Sequence, residues 1–264
     1  SSKVLYLDFD GHVVSDTAWN TNGGASVYDA RPFSLDSDEA NFSDAERQAI
    51  AEIWHRVAED YAPFDVDVTT ESPANFTATT GRILVTPNSD KVGTPMPYQS
   101  SGGVAYVNVF GGGSYAYYSP AFVYSSQLGP NFAPYIAEAA SHEAGHNLGL
   151  SHDGTASSGY YGGHGSGAVS WAPIMGAAYN RNVTQWSRGE YAGANNTQDD
   201  LALIGDKLAF RPDDHGDTPA AASMLIADAA GVVAVTTPES DPFETDPDNK
   251  GVIDSAADVD VFAF

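Results

Sequence analysis

The 264-residue chain has no cysteine. Disulfides are therefore excluded, and so are metal sites built on thiolates. The absence leaves the cellular compartment open. Basic residues are scarce: 11 Lys and Arg stand against 35 Asp and Glu, a formal net charge of −24. Phosphate recognition needs basic patches, so nucleic acid is excluded as a partner. An anionic membrane surface would repel the chain for the same reason. No stretch approaches the roughly 18 consecutive apolar residues of a membrane span, so insertion is not expected. Apolar residues make up 42% of the chain, an ordinary share for a globular protein. The length suits one large core, or one core with a small appendage.

Against that background one run stands out. Residues 142–153 read His-Glu-Ala-Gly-His-Asn-Leu-Gly-Leu-Ser-His-Asp, which fits H-E-x-x-H-x-x-G-x-x-H. Residues four apart on a helix share a face and lie about 6 Å apart along its axis. His142 and His146 can therefore turn two imidazoles toward one ion. Glu143 sits beside the first of them, able to reach a metal-bound water without binding the metal. Gly149 lets the helix stop in a left-handed turn, after which His152 returns as a third ligand. Three protein ligands with a fourth position open is the pattern of catalytic zinc. An apolar helical spread (Phe132, Ile136, Ala139, Ala140, Ala144, Leu148, Leu150) surrounds the run. Downstream lies Ala172-Pro173-Ile174-Met175-Gly176, bounded by Gly and Pro.

The extended motif followed by this methionine turn resembles the metzincin clan of zinc endopeptidases. Asn147-Leu148-Gly149 and the His152-Asp153 pair resemble its reprolysin (adamalysin) branch. The absence of cysteine is closer to bacterial members than to the disulfide-braced animal ones. The resemblance implies that His142, His146 and His152 hold Zn2+, that Glu143 is the catalytic base and that Met175 is the Met-turn residue. It also implies a protein or peptide substrate. Some metzincins place a tyrosine two residues after the Met-turn methionine. Ala177 stands there in this chain, and Tyr179 is the nearest hydroxyl, either a transition-state donor or an ordinary core aromatic. Asp153 either braces the site or caps the turn after the helix. Metzincins lay the substrate along the strand before the zinc helix region, which implies that Gly103, Val104, Ala105, Tyr106 and Val107 bind it. The chain opens Ser-Ser-Lys with no Met and no signal-peptide pattern. This fits either a mature enzyme whose signal and propeptide are gone or a chain trimmed at its start; a secreted, extracellular enzyme is the expectation, and separately a monomer. Two other readings stay open: a zinc hydrolase confined to a special substrate such as a glycosylated protein, and a silent peptidase-like binding module.

The pattern of elements predicts an α/β fold. Strands are expected at 4–9, 66–69, 82–85, 103–110 and 121–124, with 11–42 as loop. Ser43-Asp44-Ala45-Glu46 reads as a capping box. It opens a helix with Ile50, Ile53, Trp54, Val57 and Tyr61 on one face, ended near Pro63. A Gly/Ser-rich loop at 154–170 carries Tyr160, Tyr161 and His164, the last read as a solvated histidine. Thr197-Gln198-Asp199-Asp200 opens a final helix. The order matches a metzincin-like catalytic domain over residues 1–212: a twisted mixed sheet with long helices, the zinc helix followed by the Met-turn. From Asp213 the composition shifts. Residues 213–264 resemble the start of a bacterial pre-peptidase C-terminal domain, a short β-rich appendage. Its two acidic clusters, Asp213-Asp214 with Asp217 and Asp258 with Asp260, are either a Ca2+ site or turn residues.

Overall fold

The computed structural model describes residues 1–22, 24–36, 38–234, 249–253 and 257–264. The chain begins with strand β1 (Val4–Asp8), β2 (His12–Ser15), a short helix α1 (Ala18–Thr21) and β3 (Val27–Ala30). Helix α2 (Asp44–Asp60) leads to β4 (Asp67–Thr69), β5 (Thr80–Thr86) and β6 (Gly103–Val104). A one-turn helix α3 (Tyr115–Tyr118) and β7 (Ala121–Tyr124) precede the long helix α4 (Ala133–Leu148). Then come β8 (Trp171–Pro173), β9 (Val183–Gln185), α5 (Asp200–Leu208), β10 (Ser223–Met224) and β11 (Phe262–Ala263). Five strands form one mixed sheet in the order β4-β1-β5-β7-β6. All its pairings are parallel except β6 with β7.

Side-chain alternation divides the core. Leu5, Leu7, Ile83, Val85 and Val123 point to one face of the sheet, where α2, α4 and α5 cover them with Ile53, Val57, Ile136, Ala140 and Ile204. Leu84, Phe122 and Tyr124 point to the other face, under Val14, Trp19, Tyr28 and Ala30. Inner parallel strands buried on both faces must be apolar almost throughout, which is why Ile83-Leu84-Val85 reads as an unbroken run.

The capping box of α2 forms: the Ser43 hydroxyl accepts from the Glu46 N–H at 3.3 Å, and the Ser43 N–H donates to Glu46 Oε2 at 2.7 Å. Glu46 also accepts from the Leu35 N–H and the Ser34 hydroxyl. These donors hold its carboxyl at about 2 against the opposing effect of burial. In α5 the cap is Asp199, whose Oδ1 accepts from the Ala202 N–H at 3.1 Å.

Two expectations need correction. Residues 11–42 are not simply loop: β2 and β3 pair antiparallel, with His12 opposite Ala30 and Ser15 opposite Val27. This hairpin exists to cover the second face of the sheet, a tertiary reason that short and weakly patterned strands do not announce. The strand expected over 103–110 is confined to Gly103–Val104. Beyond it the chain leaves the sheet. Asn108 takes φ 58°, a left-handed conformation that asparagine tolerates. The N–H groups of Asn108, Val109 and Phe110 then donate to the carbonyls of His146 and Asn147 at 2.8–3.0 Å. The last turn of a helix leaves carbonyls without partners, and this segment supplies them.

Candidate active site

Helix α4 carries the first two histidines because its sequence makes a helix buried nearly all round. Pro134 sits in its first turn, where a missing N–H costs nothing. Gly149 ends it at φ 115°, and the Leu150 N–H reaches back to the Gly145 carbonyl at 3.0 Å. The chain then turns, and His142, His146 and His152 offer ligand nitrogens all within 4.8 Å of one another. The Nε2 atoms of His146 and His152 are 2.9 Å apart. A tetrahedral zinc with Zn–N near 2.0–2.1 Å holds its nitrogens about 3.3 Å apart, so this convergence fits one ion.

The protonation states suit that role. His142 Nδ1–H donates to the Ile174 carbonyl and His146 Nδ1–H to the Leu150 carbonyl, each at 2.8 Å. With Nδ1 protonated, the lone pair of each ring lies on Nε2. Burial, with the neighbouring histidines adding to it, lowers His142 to about 3, and burial lowers His146 to about 4. His152 is lowered too, by burial. The rings are thus neutral near pH 7, as metal ligation requires.

Glu143 is 6% exposed, and its Oε2 is buried with no hydrogen-bond partner among the described residues. Burial pushes its carboxyl up to about 8. Gly103 on edge strand β6 lies directly against it. A Cβ at Gly103 would stand 2.7 Å from Glu143 Oε1 and 2.7 Å from the Phe122 carbonyl. Met175 is fully buried beneath α4, and a Cβ at Gly145 would meet its Sδ at 2.8 Å.

Asp153 is buried and ties the motif to the methionine turn through its backbone. Its N–H donates to the Met175 carbonyl at 2.8 Å, and its carbonyl accepts from the Tyr161 N–H at 2.7 Å. Its Oδ2 has no partner among the described residues. Burial, and then Glu190, raise its carboxyl to about 6. Tyr179 packs on Tyr135 with ring centroids 5.2 Å apart. Its hydroxyl faces Gly102, and burial, then Glu143, push it up. Tyr179 thus sits between the core and the site.

The segment 103–107 divides. Gly103 and Val104 form the outer strand of the sheet, and Val107 is exposed. Tyr106 turns away, its ring 4.3 Å from Trp19 and within the second core cluster. Its carbonyl accepts from Asn147 Nδ2 at 2.9 Å, which locks the segment to α4. His164 bonds the Tyr161 hydroxyl at 2.9 Å and pairs its backbone with Trp171.

Residues 48–153 match the family described as Metallo-peptidase family M12B Reprolysin-like. Over those residues the chain is similar to a reprolysin-like metallopeptidase domain. The match runs from the second turn of α2 to the end of the histidine motif, so β1 and the methionine turn lie beyond it. With the histidine triad, it makes the chain a zinc metalloendopeptidase, whose substrates are proteins or peptides. No curated protein matches the chain. No helix among the described residues is long and apolar enough to cross a membrane.

Two features of this metallopeptidase had no sequence reading. One is the contact of Gly103 with Glu143, for which the Gly102-Gly103 pair was the available signal. The other is Tyr160, whose ring lies 4.3 Å from that of His152. Its sequence position, in a Gly/Ser-rich loop, says nothing of that contact.

Proposed function

We propose that the enzyme is a secreted endopeptidase that cleaves peptide bonds in proteins, with His142, His146 and His152 holding zinc and Glu143 as general base. The observation that carries this reading is the convergence of three neutral imidazoles within 4.8 Å, with the buried Glu143 one residue from the first. Zinc, when bound there, brings the pKa of its water toward neutrality and polarises the scissile carbonyl. Glu143 accepts a proton from the attacking water and delivers it to the leaving amine. Its burial makes the carboxylate more basic than one in water. Met175 supports the helix from below.

The substrate lies extended along edge strand Gly103–Val104, pairing its backbone with the outward side of the strand, where the Gly103 carbonyl also accepts from the Ser101 hydroxyl at 2.7 Å. With only two residues in regular pairing, this strand holds a short stretch of substrate next to Glu143. Residues 213–264 are a separate appendage, similar to the start of a pre-peptidase C-terminal domain. Within it Asp213, Asp258 and Asp260 bring carboxylate oxygens within 4.8 Å of one another, which supports Ca2+ there. The chain acts as a monomer.

The test is metal removal. 1,10-Phenanthroline should abolish cleavage of casein and of peptide libraries, and stoichiometric zinc should restore it. Full activity in a sample verified to be metal-free would overturn the proposal. Activity on glycosylated proteins alone would move it to the restricted-substrate reading.

A further inference from the structure

The three imidazoles are not held alike. His142 and His146 each have a backbone carbonyl on Nδ1 at 2.8 Å, which fixes both tautomer and ring angle. His152 has none: among the described residues, no acceptor meets its Nδ1. It is also the exposed member of the triad, carried beyond the end of α4 in chain without regular structure. A third ligand free to rotate would weaken the whole site, because every ligand must be turned toward one point.

What His152 has instead is Tyr160. The two rings lie 4.3 Å apart at 39°, and Tyr160 also reaches within 6.2 Å of the His142 ring. Tyr160 is 47% exposed, yet its backbone is held on both sides. Ser158 Oγ donates to the Tyr160 carbonyl at 2.7 Å. The next residue, Tyr161, donates its N–H to the carbonyl of Asp153, the neighbour of His152, and accepts at its own carbonyl from the Ala177 N–H at 3.0 Å. The Tyr161 ring stacks flat on Tyr191, at 4.1 Å and 5°. The loop therefore delivers the Tyr160 ring to one place. Its hydroxyl, by contrast, has no hydrogen-bond partner among the described residues.

We propose that Tyr160 is the positioning residue of the third zinc ligand, its ring packing doing for His152 what the Ile174 and Leu150 carbonyls do for His142 and His146. The proposal rests on the zinc-peptidase reading of the triad. It assigns the role to the ring and none to the hydroxyl.

The test uses the whole chain and a chromophoric chelator competing for zinc. Tyr160→Ala should weaken zinc binding by about 10–100-fold, the loss usual for a residue that orients a ligand. Tyr160→Phe should keep the wild-type dissociation constant, and Tyr160→Trp should restore most of what alanine loses. A second measurement does not depend on metal. In zinc-free protein the ring protons of His152 should show a ring-current shift from the nearby aromatic ring in wild type and Tyr160→Phe, and lose it in Tyr160→Ala. Wild-type zinc affinity in Tyr160→Ala overturns the proposal. So does a Tyr160→Phe variant as weak as the alanine one, which would move the role to the hydroxyl. A wild-type chain that binds no zinc would instead sink the zinc-peptidase reading itself.

Discussion

Glu143 and Gly103 meet because a helix side chain and a strand backbone approach closer than a Cβ would permit. Glu143→Gln keeps the shape and removes the base. The proposed role predicts a fall in kcat/KM of at least about 10²–10⁴, with zinc content unchanged. Loss of zinc in that variant would mean the carboxylate is a ligand. Gly103→Ala tests the contact from the other side. The added methyl must displace Glu143 or the strand, so cleavage should drop sharply while the triad still binds zinc. Unaltered kinetics would show that the two are further apart in solution. The role of Glu143 is legible in the sequence, because it stands in the H-E-x-x-H motif beside the i and i+4 pair His142 and His146. The role of Gly103 is not, because 40 residues separate the two positions.

Helix α4 is held from several directions, and at one of them its hold depends on pH. The Asp60 carboxyl at the end of α2 accepts from Ser141 Oγ at 2.6 Å, and the Asp60 carbonyl accepts from Trp186 Nε1 at 2.6 Å. Glu138, one turn before His142, accepts from the Thr184 hydroxyl at 2.9 Å, and its other oxygen is buried without a partner among the described residues. Burial raises both carboxyls, and the Glu138 charge raises Asp60 further; Glu138 rises to about 6. A carboxyl with a raised folded pKa binds its proton more tightly in the folded state. Its contribution to stability is complete below the unfolded value near 4.3 and is lost as pH climbs through about 6. Glu138→Gln imitates the protonated form. It should equal wild type near pH 4 and exceed it near pH 7.5 by about 1–2 kcal/mol, measured by urea unfolding of zinc-free protein. A difference independent of pH would refute this coupling. The segment that caps the other end of α4 misled the sequence reading. Residues 103–110 have the composition of a strand, yet after Val104 the unpaired carbonyls of α4 and the left-handed Asn108 draw the chain away from the sheet.

At the scale of the molecule, the 42% apolar share fills two core clusters, one on each face of the sheet. Residues after Pro212, read as an appendage, are tied to the rest of the chain at one described ion pair. Lys250 pairs with Glu59 across the two, and both side chains are more than a third exposed, so the pair adds little. Arg211, by contrast, is tied to the catalytic part through its N–H on the Pro63 carbonyl and its Nε on the Phe64 carbonyl. Truncation after Pro212 should therefore leave zinc binding and peptide cleavage intact, with any loss confined to solubility or to large substrates. A truncated chain that folds and binds zinc but cleaves nothing would place part of the machinery beyond residue 212. The sequence by itself pointed to the three longer helices, α2, α4 and α5, and to the converging histidines, because capping, the 3.6-residue period and the Gly149 turn act over a few residues; the short α1 and α3 were not legible in it. The order of the strands, β4-β1-β5-β7-β6, came from the tertiary structure. Only the tertiary structure decided that a hairpin within residues 11–42 covers the back of the sheet. Only it set Gly103 against Glu143 and the Tyr160 ring against His152. Each of these is a contact between segments distant in sequence or separated by an irregular loop, fixed by which surfaces the core leaves to be covered.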